Sequence, residues 1–258
     1  MNRFCTLYSG SSGNATLVSN GNTNILIDAG VSCAKICTSL KDIGISPDEI
    51  DGIVLTHEHI DHIRGVDVLS RKFHIPVYAS EGTLSKMELS RVEDKYIRTV
   101  KSGESFEIRD IGIYPFKIPH DAAQPLGYTM CLDDKRFSVA TDIGHLSESL
   151  VKSLCKSDTV LLESNHDIKM LNEGSYPYYL KKRILGDFGH LPNDKAAWMA
   201  TQLAKWGTTR IILGHLSQEN NLPSLAYETS KNMLEANGVK VGQDVILKVA
   251  DRSNICEI

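Results

Sequence analysis

Three imidazoles and two carboxylates crowd into the eight residues Leu55-Thr56-His57-Glu58-His59-Ile60-Asp61-His62. A hydrophobic core has no use for such a set, because polar groups buried without partners cost free energy. Divalent metal ions do, since imidazole and carboxylate are the ligands that zinc and its neighbours accept. His57 and His59 stand two apart, so on an extended chain they share a side. Asp61 and His62 lie past a bend, where one pair can face one metal while the other pair faces a second. Further candidates stand singly. His120 follows Ile118-Pro119, Asp142 follows Val139-Ala140-Thr141, and His215 follows Ile211-Ile212-Leu213-Gly214. Each taken alone could be a cap or a surface polar group. Their recurrence wherever an apolar run stops points to one metal-holding rim. Two divalent ions about 3.5–4 Å apart can share a water and lower its pKa towards about 7, giving a bridging hydroxide nucleophile at neutral pH. Their charge also offsets the negative charge that develops at an attacked phosphodiester.

Strands must hold those ligands in place. Arg3 to Tyr8, Ala15 to Ser19 and Asn24 to Ile27 read as strands, with a hairpin signal at Gly21-Asn22. Ser32 caps a helix through Leu40, stopped by Gly44. The run Ile53-Val54-Leu55 is a buried-type strand that delivers the His-rich stretch, and α/β folds place ligands at such strand ends. Gly65 to Phe73 has helical spacing and Ile75 to Tyr78 returns as a strand. Ser105 to Ile108, Ile111 to Ile118, Gly127 to Leu132 and Arg136 to Ala140 carry β patterning, as do Thr159 to Glu163, Arg210 to Leu213 and Val245 to Val249, with a further strand near Val239. Helices are expected over Ser147–Leu154, Tyr176–Leu185, Asn193–Trp206 and Ser224–Ala236. Trp198 and Trp206 are expected to pack the third of these. Cys33 and Cys37, four apart, read as small core residues, and at least one of Tyr176, Tyr178 and Tyr179 is expected in the core. Two halves that each mix strands with flanking helices make an α/β, four-layer αββα sandwich, with residues 1–258 as a single domain.

Composition narrows the partners. The chain has 258 residues, is 41% hydrophobic and 23% charged, and carries a formal charge of −4. That excludes wholesale disorder and a general attraction to polyanions, but not a local basic groove such as Lys181-Lys182-Arg183. No stretch approaches the roughly 20 apolar residues of a membrane helix, and no apolar run with a cleavage site opens the chain. Six scattered cysteines form no spaced framework, so reduced thiols in the cytoplasm are expected, with no membrane partner.

The seven candidate ligands resemble the metallo-β-lactamase fold superfamily. Its HxHxDH signature is matched by His57, His59, Asp61 and His62, and its later motifs are matched in order by His120, Asp142 and His215. The resemblance implies one metal held by His57, His59 and His120, a second by Asp61, His62 and His215, and Asp142 between them. Zinc suits such a site, and manganese, iron, cobalt or nickel can occupy it. Leu213-Gly214-His215-Leu216-Ser217-Gln218-Glu219-Asn220-Asn221 and Glu163-Ser164-Asn165-His166-Asp167 look like the YycJ (WalJ) branch, which implies 5′-to-3′ exonuclease action on DNA. The run Gly189-His190-Leu191-Pro192-Asn193 is similar to ribonuclease Z, which implies His190 as proton donor with Glu163 supporting it.

Physical chemistry fits the same roles. The departing alkoxide of a phosphodiester needs a proton, and imidazole is the natural supplier. His190 is the first candidate, with a helix-capping role as its alternative, and His166 is the second. Asp61 ligates and can orient the nucleophile. His166 contacts substrate or else supports a ligand, and Glu163 is either paired or a strand-end surface carboxylate. Asp28 holds a ligand histidine by its second nitrogen, or makes an Asx-type turn before Gly30. The loop Ser9-Gly10-Ser11-Ser12-Gly13-Asn14 is a hairpin turn or, through Ser11 and Asn14, a substrate loop. A DNA phosphodiesterase is therefore the leading expectation. A thioester, lactone or lactam hydrolase on the same dinuclear centre is the alternative. Flavo-diiron redox chemistry is disfavoured, because His59 stands where a carboxylate is usual.

Overall fold

A computed structural model describes residues 2–257. The first sheet takes β1 (Arg3–Tyr8), β2 (Ala15–Ser19), β3 (Asn24–Ile27), β4 (Gly52–Val54), β5 (Val77–Ala79) and β6 (Ile97–Thr99). The second takes β7 (Phe106–Ile108), β8 (Ile111–Lys117), β9 (Leu126–Leu132), β10 (Lys135–Ala140), β11 (Thr159–Glu163), β12 (Arg210–Gly214) and β13 (Ile246–Val249). A last strand, β14 (Cys256–Glu257), returns to pair with β1. The orders are β14-β1-β2-β3-β4-β5-β6 and β13-β12-β11-β10-β9-β8-β7. In each sheet one half is antiparallel and the other parallel: β3 to β6 in the first, β10 to β13 in the second.

Continuous apolar runs make these strands because both faces are covered. In β3, Ile25 and Ile27 join the core between the sheets while Leu26 faces the outer helices. In β12, Ile212 points to that shared core and Ile211 and Leu213 point outward. Helices α1 (Cys33–Asp42) and α3 (Val66–Phe73), with α4 (Glu81–Lys86), accompany the first sheet. Helices α5 (Glu148–Leu154), α8 (Asn193–Lys205) and α9 (Pro223–Ala236) cover the second. The three buried clusters therefore stack as helix–sheet, sheet–sheet and sheet–helix layers, the αββα sandwich. Two short helices edge the site, α2 (Ile60–Ile63) and α7 (Tyr178–Ile184), and α6 (Ile168–Glu173) precedes α7 in the chain. Among the described residues no helix is long and apolar enough to cross a membrane.

Several local expectations change. The region near Val239 is no strand, since only an isolated bridge joins Val241 to Val245. Helix α7 starts at Tyr178, after Pro177, rather than at Tyr176. None of the three tyrosines is in the core: Tyr178 and Tyr179 are 81% and 74% exposed, and Tyr176, before the helix, is half-buried. Trp198 and Trp206 are outside the core at 45% and 40% exposure, because α8 packs through Ala196, Met199, Ala200 and Leu203 instead. Cys33 and Cys37 are half-buried against the outer core, their sulfurs 3.8 Å apart.

Candidate metal centre

The parallel strands end on one rim, and the chemistry-bearing residues follow their carboxyl ends. Asp28 follows β3, His57 follows β4, Asp142 follows β10, Glu163 closes β11 and His215 follows β12. Asp28, Asp142 and His215 adopt positive φ of 59°, 60° and 55°. That left-handed backbone is sparsely populated by non-glycine residues, among which Asn, Asp and His are enriched. It breaks each strand sharply at the rim. The loop carrying Asp61 is pinned by close backbone approach. Asn14 N–H donates to the Asp61 carbonyl at 2.8 Å, and Gly30 N–H donates to the Asn14 carbonyl at 2.7 Å. A Cβ on Gly30 would lie 1.6 Å from the Asp61 carbonyl oxygen, so only glycine fits there.

All seven sequence-proposed ligands are brought together. Donor atoms of His57, His59 and His120 lie within 4.8 Å of one another, as do those of Asp61, His62 and His215, and those of His57, His62 and Asp142. Asp142 stands between the groups, its carboxylate 3.3 Å from His62 Nε2, 3.7 Å from His120 Nε2 and 3.6 Å from His215 Nε2. The Nδ1 atoms are engaged from behind. His62 Nδ1 faces Asp28 Oδ2 at 2.7 Å, His215 Nδ1 faces Glu163 Oε1 at 2.8 Å, and His120 Nδ1 faces the Gly189 carbonyl at 3.1 Å. Thr56 Oγ1 donates to Asp28 Oδ2 at 2.8 Å and sits 3.0 Å from His57 Nδ1. Each ring thus presents Nε2, the arrangement that fixes metal-ligating histidines. His57 Nε2, His215 Nε2 and Asp142 Oδ2 are buried with no hydrogen-bond partner. Buried polar atoms rarely stay orphaned. Lone pairs of nitrogen and carboxylate oxygen converging in one space are a donor set that fits divalent cations.

Charge is balanced inside this cluster. Burial, reinforced by the neighbouring imidazoles, holds His57 well below the usual histidine range, and burial also lowers His120, so both rings are neutral. Burial opposes charge on His62, but Asp28, Asp142 and Asp61 outweigh it and push the pKa up to about 9. Burial opposes charge on His215 too, and Asp142, Asp61 and Glu163 raise it well above its ordinary value. Burial alone would raise Asp61, Asp142 and Glu163, yet the adjacent imidazoles hold all three down. Metals must therefore displace protons from His62 and His215. Titrating metal-free protein with Zn²⁺ at pH 7 is expected to release protons, read as a binding heat that changes with the buffer's ionisation enthalpy. Apparent affinity should rise as pH increases from 7 to about 9. Buffer-independent heats would contradict this picture.

The remaining sequence candidates separate. His190 lies at the cluster's edge, Nδ1 2.9 Å from Glu163 Oε1 and 3.7 Å from Asp142. Glu163 is not a surface carboxylate. It is fully buried and accepts from His190, His215, Ile143 N–H at 2.6 Å and Leu191 N–H at 3.0 Å. It touches no open space, so it positions two imidazoles rather than meeting substrate. Ser11 is exposed and lines a cleft of about 380 Å³ with His59, Asp61, Asp142, His190 and His215. Tyr176 and Arg183 line the same cleft, and Arg183 pairs with Asp121. Asn14 corrects the substrate-loop expectation, because it is buried and its amide is spent on Gly10 and Asp61, 3.1 Å from His62 Nε2. It braces the metal rim. His166 is buried outside this cleft, Nδ1 3.3 Å from Asn165 Oδ1.

Other supports carried no sequence signal. Ser9 Oγ accepts from His215 N–H at 2.9 Å across 206 residues. Asn165 Nδ2 donates to the His215 carbonyl at 2.9 Å. Thr56, inside the His-rich stretch, was the one legible by position. Glu58 is no ligand: it accepts from Ala123 N–H at 2.7 Å.

A sandwich of two mixed sheets with a His/Asp centre on its rim defines a metal-dependent hydrolase scaffold. Residues 23–216 match the β-lactamase superfamily domain. The chain is 40% identical over 255 residues to exodeoxyribonuclease WalJ of Streptococcus pneumoniae, covering 97% of this chain and 94% of that protein. It is 36% identical over 244 residues to exodeoxyribonuclease YycJ of Bacillus anthracis, covering 93% and 92%. The crystal structure of the metallo-β-lactamase fold protein YhfI from Bacillus subtilis superposes with TM-score 0.74 at 13% identity, over 99% of both chains. The chain belongs to the metallo-β-lactamase superfamily, in the branch of the WalJ and YycJ proteins.

Proposed function

We propose that residues 1–258 form one metallohydrolase domain that hydrolyses DNA phosphodiesters from the 5′ end in the cytoplasm. It would hold two divalent ions, zinc first among the candidates. His57, His59 and His120 hold one ion; Asp61, His62 and His215 hold the other; Asp142 lies between. The observation that carries the reading is His190, an imidazole backed by buried Glu163 at 2.9 Å on the wall of the metal cleft. Hydrolysis of an ester with a poor alkoxide leaving group needs such a donor. Bound divalent ions supply an activated water and offset charge on the phosphoryl group. The attacking water's oxygen bonds to phosphorus as the P–O3′ bond breaks, and the proton this water sheds goes to solvent, from which His190 is later reprotonated. The departing 3′-oxygen takes the proton from His190 Nε2, because Nδ1 is committed to Glu163. The products are a nucleotide with a 3′-hydroxyl and a strand with a 5′-phosphate. Asp61, partly exposed in the cleft, aligns the attacking water. The named activities of WalJ and YycJ support the choice of DNA.

Incubation of the protein with 5′-phosphorylated single- and double-stranded DNA, a thioester and a lactam, each with Mn²⁺ or Zn²⁺, tests this. Mononucleotide release from DNA is expected, abolished by chelation. Turnover of only the thioester or the lactam would overturn it.

A further inference from the structure

A second cavity of about 470 Å³ opens on the far side of His190, within the size range of small-molecule sites. His190 lines both spaces, so it is the wall between the metal cleft and this cavity. Trp198, 45% exposed, stands on the cavity side of α8, where the helix otherwise buries small and aliphatic residues. Lys195, one turn earlier and exposed, lines it too. The back wall holds His166, which is fully buried. Asn165 Oδ1 accepts only, so the proton on the His166 ring is on Nδ1, at 3.3 Å. Nε2 is then a bare acceptor, and it is buried without a partner. His145 lines it as well, its Nδ1 facing the Asp187 carbonyl at 2.8 Å.

This is an aromatic face, a cation and a buried acceptor around one space, beside the group that protonates the leaving oxygen. A ligand that satisfies all three has a flat ring, an N–H on its edge and an anionic group. A nucleotide has each, since adenine, cytosine and guanine present amino N–H groups and thymine a ring N–H. Resting on the hydrolysis proposed above, we infer that this cavity holds the 5′-terminal nucleotide of the strand, the one that departs. In 5′-to-3′ cleavage the 3′-oxygen protonated by His190 belongs to that nucleotide, so its base must lie on the side of His190 away from the metals. The base lies against Trp198 with its N–H edge on His166 Nε2, and the 5′-phosphate meets Lys195.

The metal-loaded Trp206→Phe protein, in which Trp198 is the remaining indole, provides the test. Titration with dAMP is expected to quench its fluorescence saturably, while inorganic phosphate alone leaves it unchanged. Lys195→Ala is expected to raise the Kd for dAMP about tenfold and leave that for deoxyadenosine unaltered. Trp198→Ala is expected to raise KM for 5′-phosphorylated DNA about tenfold. The inference is overturned by the absence of saturable quenching, or by a dAMP affinity indifferent to Lys195→Ala. The titration needs no turnover. DNA cleavage without quenching would refute the cavity assignment alone, and quenching without DNA cleavage would refute the nuclease reading.

Discussion

His190→Ala is expected to lower kcat on DNA by about 10²- to 10⁴-fold, the range for loss of a positioned general acid. Metal content should stay at the wild-type level, because neither proposed ligand set includes His190, whose Nδ1 is held by Glu163. The geometry assigns the proton. Nδ1 is held 2.9 Å from Glu163, so Nε2 is the nitrogen free to donate. The 19% side-chain exposure of His190 shows that it reaches open space, whereas Glu163 behind it is at 0%. The decisive comparison uses two substrates. A 3′-alkoxide leaves badly without a proton, while a p-nitrophenolate leaves readily. The variant should therefore lose far less on a p-nitrophenyl phosphodiester than on DNA. An equal loss on both substrates would mean that His190 shapes the cleft rather than donating a proton.

The ligands were legible because metal chemistry demands residue types that a core rejects, at places where apolar runs stop. The sandwich was legible for a related reason. Strands such as Ile25-Leu26-Ile27 and Ile211-Ile212-Leu213 are apolar at every position, which only a doubly covered sheet explains. Part of the support was legible too, since Asp28 meets the second nitrogen of His62 and Glu163 backs His190. What sequence could not order was the rest of it. Ser9 and His215 meet across 206 residues, a contact that no spacing rule anticipates. Asn14 sits in a loop rich in turn formers, where exposure was the natural expectation. Gly30 forces the chain so near Asp61 that Asn14 is drawn inward instead. Trp198 and the α7 tyrosines were misplaced because amphipathic spacing marks which face is apolar, not whether a neighbouring element covers it. α8 spends its alanines and Met199 on the core and leaves Trp198 beside a cavity.

Glu163→Gln is expected to destabilise the metal-free protein by about 3–5 kcal/mol, the cost of breaking a buried charge pair. Glu163 Oε1 accepts from His190 and His215, and Oε2 accepts from Ile143 and Leu191 N–H groups. Only a carboxylate offers two acceptors to four donors. Whichever way a glutamine amide turns, its NH₂ faces two N–H groups, and each donor left unmet costs about 1–3 kcal/mol. The pH dependence follows from the shifts. Glu163 is held low in the fold, so its contribution is complete above the unfolded-state carboxyl pKa and is lost as pH falls. His215 is raised, so its share is complete below the unfolded-state imidazole pKa and is lost as pH rises through the folded value. The difference between wild type and variant should therefore be greatest between those two unfolded-state values and shrink on either side. Guanidinium unfolding of both proteins from pH 3 to 10 measures it. Metal affinity should fall about 10- to 100-fold, since His215 loses the carboxylate that orients it. Unchanged stability at pH 6 would show that the carboxylate is not the anchor of the two imidazoles. His190 would then need another group to hold its proton in place.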